Sequence, residues 1–261
     1  MLTVNQPIQV TNLPARFKSA NQRLIILDYD GVLVPHVLHP GLTNPSKEII
    51  TVIQSLAGDD ANKIILFTNR DTEHLEKYWA ETNAILVAEN GAMFKESEGE
   101  WRSVFSSDNS WIAKVAPAIN ALSFQFEGTF VEKMTRSVTW HFGAANHKLA
   151  EGDIRQVTAA IRALPQFGQF TIYHGPGFLE LSTPGIDAGS FVARWIGGRH
   201  FDFILAIGGE RMDEALFGLF TNGATLVRVA PNGWTNGNYR LDRQEEVLPL
   251  LASLCATQAT E

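Results

Sequence analysis

Short apolar runs alternate along the chain with stretches whose apolar positions recur every three or four residues. The run Leu24-Ile25-Ile26-Leu27 reads as a buried strand, and a polar cluster, Asp28-Tyr29-Asp30-Gly31, begins where it ends. His36 to Pro45, broken by prolines, reads as a loop. A helix follows from about Ser46, with Ile49, Ile50, Ile53 and Leu56 on one face. Asn62 precedes a second strand, Lys63 to Phe67, which ends in Thr68-Asn69-Arg70-Asp71. Asp71 is placed to cap a helix running through Trp79. A third strand, Ala84 to Ala88, runs into the turn signal Glu89-Asn90-Gly91. Strands alternating with helices in this way predict a parallel sheet.

The pattern changes after residue 100. Trp111 to Leu122 is helical in spacing, and Val138, Trp140 and Phe142 alternate with polar residues. Thr129 to Met134 and Ser137 to Phe142 therefore read as two strands joined by a turn at Thr135-Arg136. Ile154, Val157, Ile161 and Leu164 form a helical stripe, and two more strands flank His174-Gly175-Pro176-Gly177. From Gly185 the first pattern resumes: a helix over Asp187 to Ile196, a strand over Phe203 to Ile207, a helix over Asp213 to Phe220 and a strand over Thr225 to Val229. The expected architecture is α/β, with a Rossmann-like parallel-sheet core (20–100 and 184–255) and an inserted α+β unit (101–183). Residues 1–20, polar and broken by proline, are expected to be a lead-in.

Composition narrows the partners. The 261 residues are 45% hydrophobic and 19% charged, as in an ordinary soluble protein. A net charge of −7 argues against nucleic acid and obliges any anionic ligand to find local positive charge. The lone Cys255 excludes an internal disulfide and suits a reducing compartment. No apolar run is long enough for a membrane span. Met1 to Pro14 lacks the basic start and apolar run of a secretory signal, so a cytoplasmic location is expected.

In a parallel sheet, chemistry gathers at the carboxyl ends of the strands. Two carboxylates there, Asp28 and Asp30, can divide the work: one attacks phosphorus, the other handles a proton, and both can help hold a divalent cation. A hydrophobic strand followed by Asp-x-Asp-Gly-x-Leu resembles the first motif of the haloacid dehalogenase (HAD) phosphohydrolases. Further along stand Ala88-Glu89-Asn90-Gly91-Ala92, Trp140-His141, Pro184-Gly185-Ile186-Asp187-Ala188-Gly189, Ala206-Ile207-Gly208-Gly209-Glu210-Arg211-Met212-Asp213-Glu214 and Tyr239-x-Leu241. In that order they make residues 20–254 resemble the trehalose-6-phosphate phosphatases. Arg16-Phe17-Lys18 resembles the linker of fused synthase–phosphatase chains. The resemblance implies a HAD core with a mobile cap, the active site between them, and Mg2+ as cofactor. It makes Asp28 the nucleophile and Asp30 the acid/base. Thr68 and Asn69 are placed at the phosphate, and Asp28, Asp30, Glu210 and Asp213 at the metal. On the cap, Glu132, His141 and Glu180 are the candidates for touching substrate.

Two motifs depart from the family. Its third motif reads Gly-x-Asn-Lys-Gly, and here Ala188 stands where the lysine should be, with Asp187 adding negative charge beside it. Its fourth reads Gly-Asp-Asp-x-Thr-Asp-Glu, and here Gly209 replaces the main metal carboxylate. Val32 replaces a threonine. Lys133-Met134-Thr135 stands where the family has Glu-Lys-Glu, His174 where it has a glutamate and Ser182 where it has an arginine. Arg211 is a candidate replacement cation, and Glu89 and Asn90 are expected to brace a turn. The histidines, His36, His39, His74, His141, His147, His174 and His200, show no metal-ligand spacing. Trp101, Trp111, Trp195 and Trp234 read as packing anchors. The expected function is a weakly active or inactive phosphatase-like protein that binds a phosphorylated sugar or a trehalose-synthesis protein. The alternative is an active Mg2+-dependent phosphatase on trehalose 6-phosphate or another phosphosugar.

Overall fold

The computed structural model describes residues 12–37, 43–104, 108–143, 145, 149–175, 177–210, 213–220 and 223–255. His39, His147 and Arg211 lie outside them. The chain divides into two units, residues 105–186 and the remainder.

The larger unit opens with α1 (Leu13–Ser19), β1 (Arg23–Asp28), α2 (Lys47–Ala57), β2 (Asn62–Phe67), α3 (Thr72–Trp79), β3 (Ile85–Ala88), β4 (Met93–Lys95) and β5 (Arg102–Ser103). The smaller unit holds α4 (Ser110–Ser123), β6 (Phe130–Lys133), β7 (Ser137–His141), α5 (Glu151–Arg162), β8 (Thr171–Gly175) and β9 (Phe178–Ser182). The larger unit then resumes with α6 (Ala188–Ile196), β10 (Phe203–Gly208), α7 (Asp213–Phe217), β11 (Thr225–Val229), β12 (Tyr239–Leu241) and α8 (Val247–Cys255).

The larger unit is built on one sheet in the order β12-β11-β10-β1-β2-β3-β4-β5. Its strands are parallel from β12 through β3, and β4 and β5 run antiparallel at the edge. β1 is central and buried along its whole length, which is why it is almost continuously apolar rather than alternating. Successive side chains feed opposite cores. Ile25 and Leu27 join Ile53 and Leu56 of α2, Trp79 of α3 and Leu251 of α8. Leu24 and Ile26 join Phe191 and Val192 of α6 and Leu216 of α7. Ser46 caps α2 and Asp71 caps α3, each accepting a backbone N–H from three residues on.

Three expectations change. Part of the lead-in is α1, whose Leu13 and Phe17 are buried. The Phe17 ring meets Phe203 edge-on at 5.4 Å, and the Arg23 guanidinium lies 4.3 Å from its centroid. The helix from Asp213 stops at Phe217, three residues early. Trp234 is 65% exposed, where a buried packing anchor was expected.

The smaller unit is an antiparallel sheet, β6-β7-β9-β8. Val138, Trp140, Leu179 and Leu181 point to one face and pack with Trp111, Val115 and Ile119 of α4 and Val157 and Ile161 of α5. The other face carries the row Glu132–Thr139–Glu180, and His141 two residues further along β7.

Candidate active site

The strand order places β1 between β10, reached late in the chain, and β2, reached next. Such a switch point opens a crevice at the carboxyl ends. Asp28 ends β1, and Gly31 at φ +79° turns the chain back, with its N–H on Val34 O at 2.8 Å. Thr68 and Asn69 follow β2. Glu89 and Asn90 follow β3 in a tight turn with positive φ at both. Glu89 N–H and Asn90 N–H reach Arg70 O and Thr68 O at 2.9 Å each, tying the two strand ends together. Gly209 and Glu210 follow β10. Gly208 must be glycine, because a Cβ there would lie 2.5 Å from the Asp213 side chain.

These ends enclose a cavity of about 10 Å3, on the scale of one water or one ion. It is lined by Asp28, Asp30, Phe67, Asn69, Asn90, Ala188, Glu210 and Asp213. Of the residues expected at the phosphate, Asn69 reaches this wall. Thr68 is fully buried and not part of it, and its hydroxyl oxygen accepts the Arg70 N–H at 3.1 Å.

Asp28 Oδ1 accepts the Tyr29 N–H at 2.7 Å, while Asp28 Oδ2 is buried with no hydrogen-bond partner among the described residues. Burial, then the charges of Asp213, Glu210 and Asp30, hold the Asp28 carboxyl well above the usual range. Asp213 is pushed up to about 6, chiefly by burial, although the Glu210 N–H at 2.7 Å opposes the rise. Glu210 faces His36 Nδ1 at 3.5 Å.

Asp30 is gripped by Arg70, Nη2 to Oδ1 at 2.6 Å and Nε to Oδ2 at 3.0 Å. Arg70 also donates to Thr43 Oγ1 at 2.6 Å and to Thr43 O at 3.2 Å. His74 Nε2 sits 3.2 Å from Arg70 Nη1 and 2.9 Å from the Tyr29 hydroxyl. Burial, then the Arg70 charge, lowers His74 to about 4, so it is neutral near pH 7. Burial pushes the Tyr29 hydroxyl above its usual range. Sequence reasoning missed Arg70. Its signal was its place directly after Thr68-Asn69, at the carboxyl end of a strand beside β1.

Ala188 is the first residue of α6, buried, with no charge to offer. Asp187, the neighbour expected to add negative charge beside that position, is the N-cap of α6. Its carboxylate caps α6, accepting Ser190 N–H and Ser190 Oγ at 2.8 Å each, and it does not line the cavity. Gly189 is needed where α6 meets α7, since a Cβ would lie 2.8 Å from Ala215 O.

The donor set suits a divalent cation in charge and size. Mg2+ takes one or two carboxylates and keeps several waters, and the orphaned Asp28 Oδ2 is one such donor. The set is sparse beyond that. Both Asp30 oxygens are engaged by Arg70, and no three His, Cys, Asp or Glu among the described residues form a ready metal cluster.

In the smaller unit, His141 Nε2 lies 3.0 Å from Glu132 Oε2, and the Phe130 ring stacks on the imidazole at 4.5 Å. Glu180 is buried on the same sheet face. His174 is exposed on the edge strand β8.

The trehalose-phosphatase family model matches residues 26–243. The bifunctional trehalose-6-phosphate synthase/phosphatase of Thermoproteus tenax is 26% identical over 249 residues, 95% of this chain and 34% of that protein. The trehalose-phosphatase of Saccharomyces cerevisiae is 25% identical over 237 residues, 82% of this chain and 26% of that protein. The chain thus spans about a third or less of these relatives. The C-terminal domain of Candida albicans trehalose-6-phosphate phosphatase superposes with a TM-score of 0.89 at 24% identity, covering 97% of this chain and 99% of that one. The C-terminal domain of a Candida albicans trehalose synthase regulatory protein has the same fold, with a TM-score of 0.75 at 15% identity over 94% of this chain and 98% of that one. With a family model spanning both Asp28 and the altered positions Ala188 and Gly209, the chain belongs to the trehalose-phosphatase family.

Proposed function

We propose that this chain is a trehalose-6-phosphate-phosphatase-like domain whose hydrolysis is weak or absent. Its retained role is to bind a phosphosugar or a protein of trehalose synthesis, as a regulatory pseudoenzyme in a reducing, cytoplasmic setting. The observation that carries this reading is the cavity wall: four carboxylates and, among the described residues, no lysine or arginine. Hydrolysis asks Asp28 to attack phosphorus as an anion while positive charge meets the phosphoryl oxygens. Here Ala188 supplies no cation to the phosphoryl oxygens. Mg2+, when bound, supplies charge that screens carboxylate from phosphate, and Asp28, Asp30, Glu210 and Asp213 are the residues that would hold it. Asp30 must leave the grip of Arg70 to hand a proton to the sugar oxygen. Losing one charge-stabilising group costs ~10²–10³ in rate. Losing two costs ~10⁴ or more once non-additivity is allowed for.

The fold is also that of the C-terminal domain of a Candida albicans trehalose synthase regulatory protein. The rival reading is a working Mg2+-dependent phosphatase on trehalose 6-phosphate or another phosphosugar, with Glu132, His141 and Glu180 touching the sugar. It is favoured by the retention of Asp28 and Asp30 and by the uncommitted Asp28 Oδ2. Calorimetric titration with Mg2+ separates the two. The pseudoenzyme binds weakly and gains affinity on Gly209→Asp, whereas tight binding by the unaltered chain supports the rival.

A further inference from the structure

We propose a second ligand site, for a neutral sugar, at the end of the core sheet opposite the carboxylate cavity. A groove of about 680 Å3 crosses the amino ends of β1, β2, β3 and β10, within the size range of small-molecule sites. One wall is aromatic. The rings of Trp195 and Phe201 are 18° from parallel with centroids 6.2 Å apart. Trp195 is pinned from two sides: its Nε1–H donates to Glu96 Oε1 at 3.0 Å, and the Arg199 guanidinium lies 4.4 Å from its ring centre. These contacts favour one placement of the Trp195 ring, and ordering a wall before a ligand arrives lowers the cost of binding.

The rest of the lining is rich in amides. The side chains of Asn21, Gln22 and Asn83 make no hydrogen bond to the described residues, and Lys63 and Asp60 have no ion-pair partner among them. An amide both donates and accepts, as a sugar hydroxyl does, and a pyranose presents a C–H face that suits an aromatic ring. The lining charges cancel, with Asp60 and Glu96 against Lys63 and Arg199, and the chain as a whole is negative. Neither feature draws in an anion. The chemistry selects a neutral mono- or disaccharide over a sugar phosphate. This inference does not rest on how active the carboxylate site is.

The test is calorimetry with glucose and with trehalose, and with glucose 6-phosphate as the charged comparison. The expected result is saturable binding of at least one neutral sugar. The exposed pair Asn83→Leu and Lys63→Met should weaken it roughly tenfold, the worth of one or two hydrogen bonds. Asp28→Asn should leave it unchanged. Three results overturn the proposal: no saturable binding of either neutral sugar; binding lost in Asp28→Asn but kept in the groove variant; or groove-dependent binding tighter for glucose 6-phosphate than for glucose.

Discussion

Arg70 holds Asp30 through both carboxylate oxygens, in a pair so enclosed that the two side chains are 4% and 11% exposed. Removing one member of a buried pair strands the other's charge, and that costs about 3–5 kcal/mol. Arg70→Gln should therefore lower the stability of the core by that order in denaturant unfolding. Arg70→Lys should recover only part of it, because an ammonium cannot reproduce the fork. An Arg70→Gln variant as stable as the parent would show that Asp30 does not depend on this partner.

The two altered positions can be rebuilt. A Cβ at Gly209 would lie 3.3 Å from Gly31 O and 3.4 Å from Asp30 O, so an aspartate fits if the loop yields by a few tenths of an ångström. Ala188 already lines the cavity, at the first position of α6. Gly209→Asp with Ala188→Lys should raise phosphate release from trehalose 6-phosphate by ~10² or more over the parent. Each single change should do much less, because the groups act together. A folded double variant with no gain would mean the deficit lies elsewhere.

His74 gives stability a pH dependence of known sign. Its folded value, about 4, lies below the ordinary 6.5. Between these values the unfolded chain binds more protons, so this contribution to stability rises with pH and is complete above 6.5. Asp213, raised from 3.8 to about 6, works in the opposite sense over a similar range, but it is common to any pair of variants that keep it. The melting-temperature difference between the parent and His74→Gln should move in the parent's favour from pH 4 to pH 6.5. A flat difference would contradict the half-buried, neutral His74.

The smaller unit has its own core, with Trp140 1% exposed between the sheet and its helices. Trp140→Ala should destabilise that unit by about 3–5 kcal/mol. Proteolysis should then cut within 105–186 while the remainder stays protected. Simultaneous loss of both units would show that they unfold as one.

What the sequence made legible was contiguous. β1 and the two carboxylates after it lie in a single run, and the helix caps Ser46 and Asp71 sit beside the helices they start. What it hid depends on residues far apart. Arg70 meets Asp30 across 40 residues and Thr43 across 27, a network no local pattern encodes. α1 has seven residues and only two buried side chains, too few for a period to show. The local bonds of Thr68 to Arg70 and of Asp187 to Ser190 are likewise details that residue type and position alone do not give.

The most direct measurement is phosphate release from trehalose 6-phosphate with Mg2+, comparing the parent chain with Asp28→Asn. The parent should release phosphate at a rate little above the variant, or at least ~10⁴ below an ordinary phosphatase. Turnover in the ordinary range of ~1–10³ per second, abolished by Asp28→Asn, would contradict it and require a cation and a metal ligand not yet assigned.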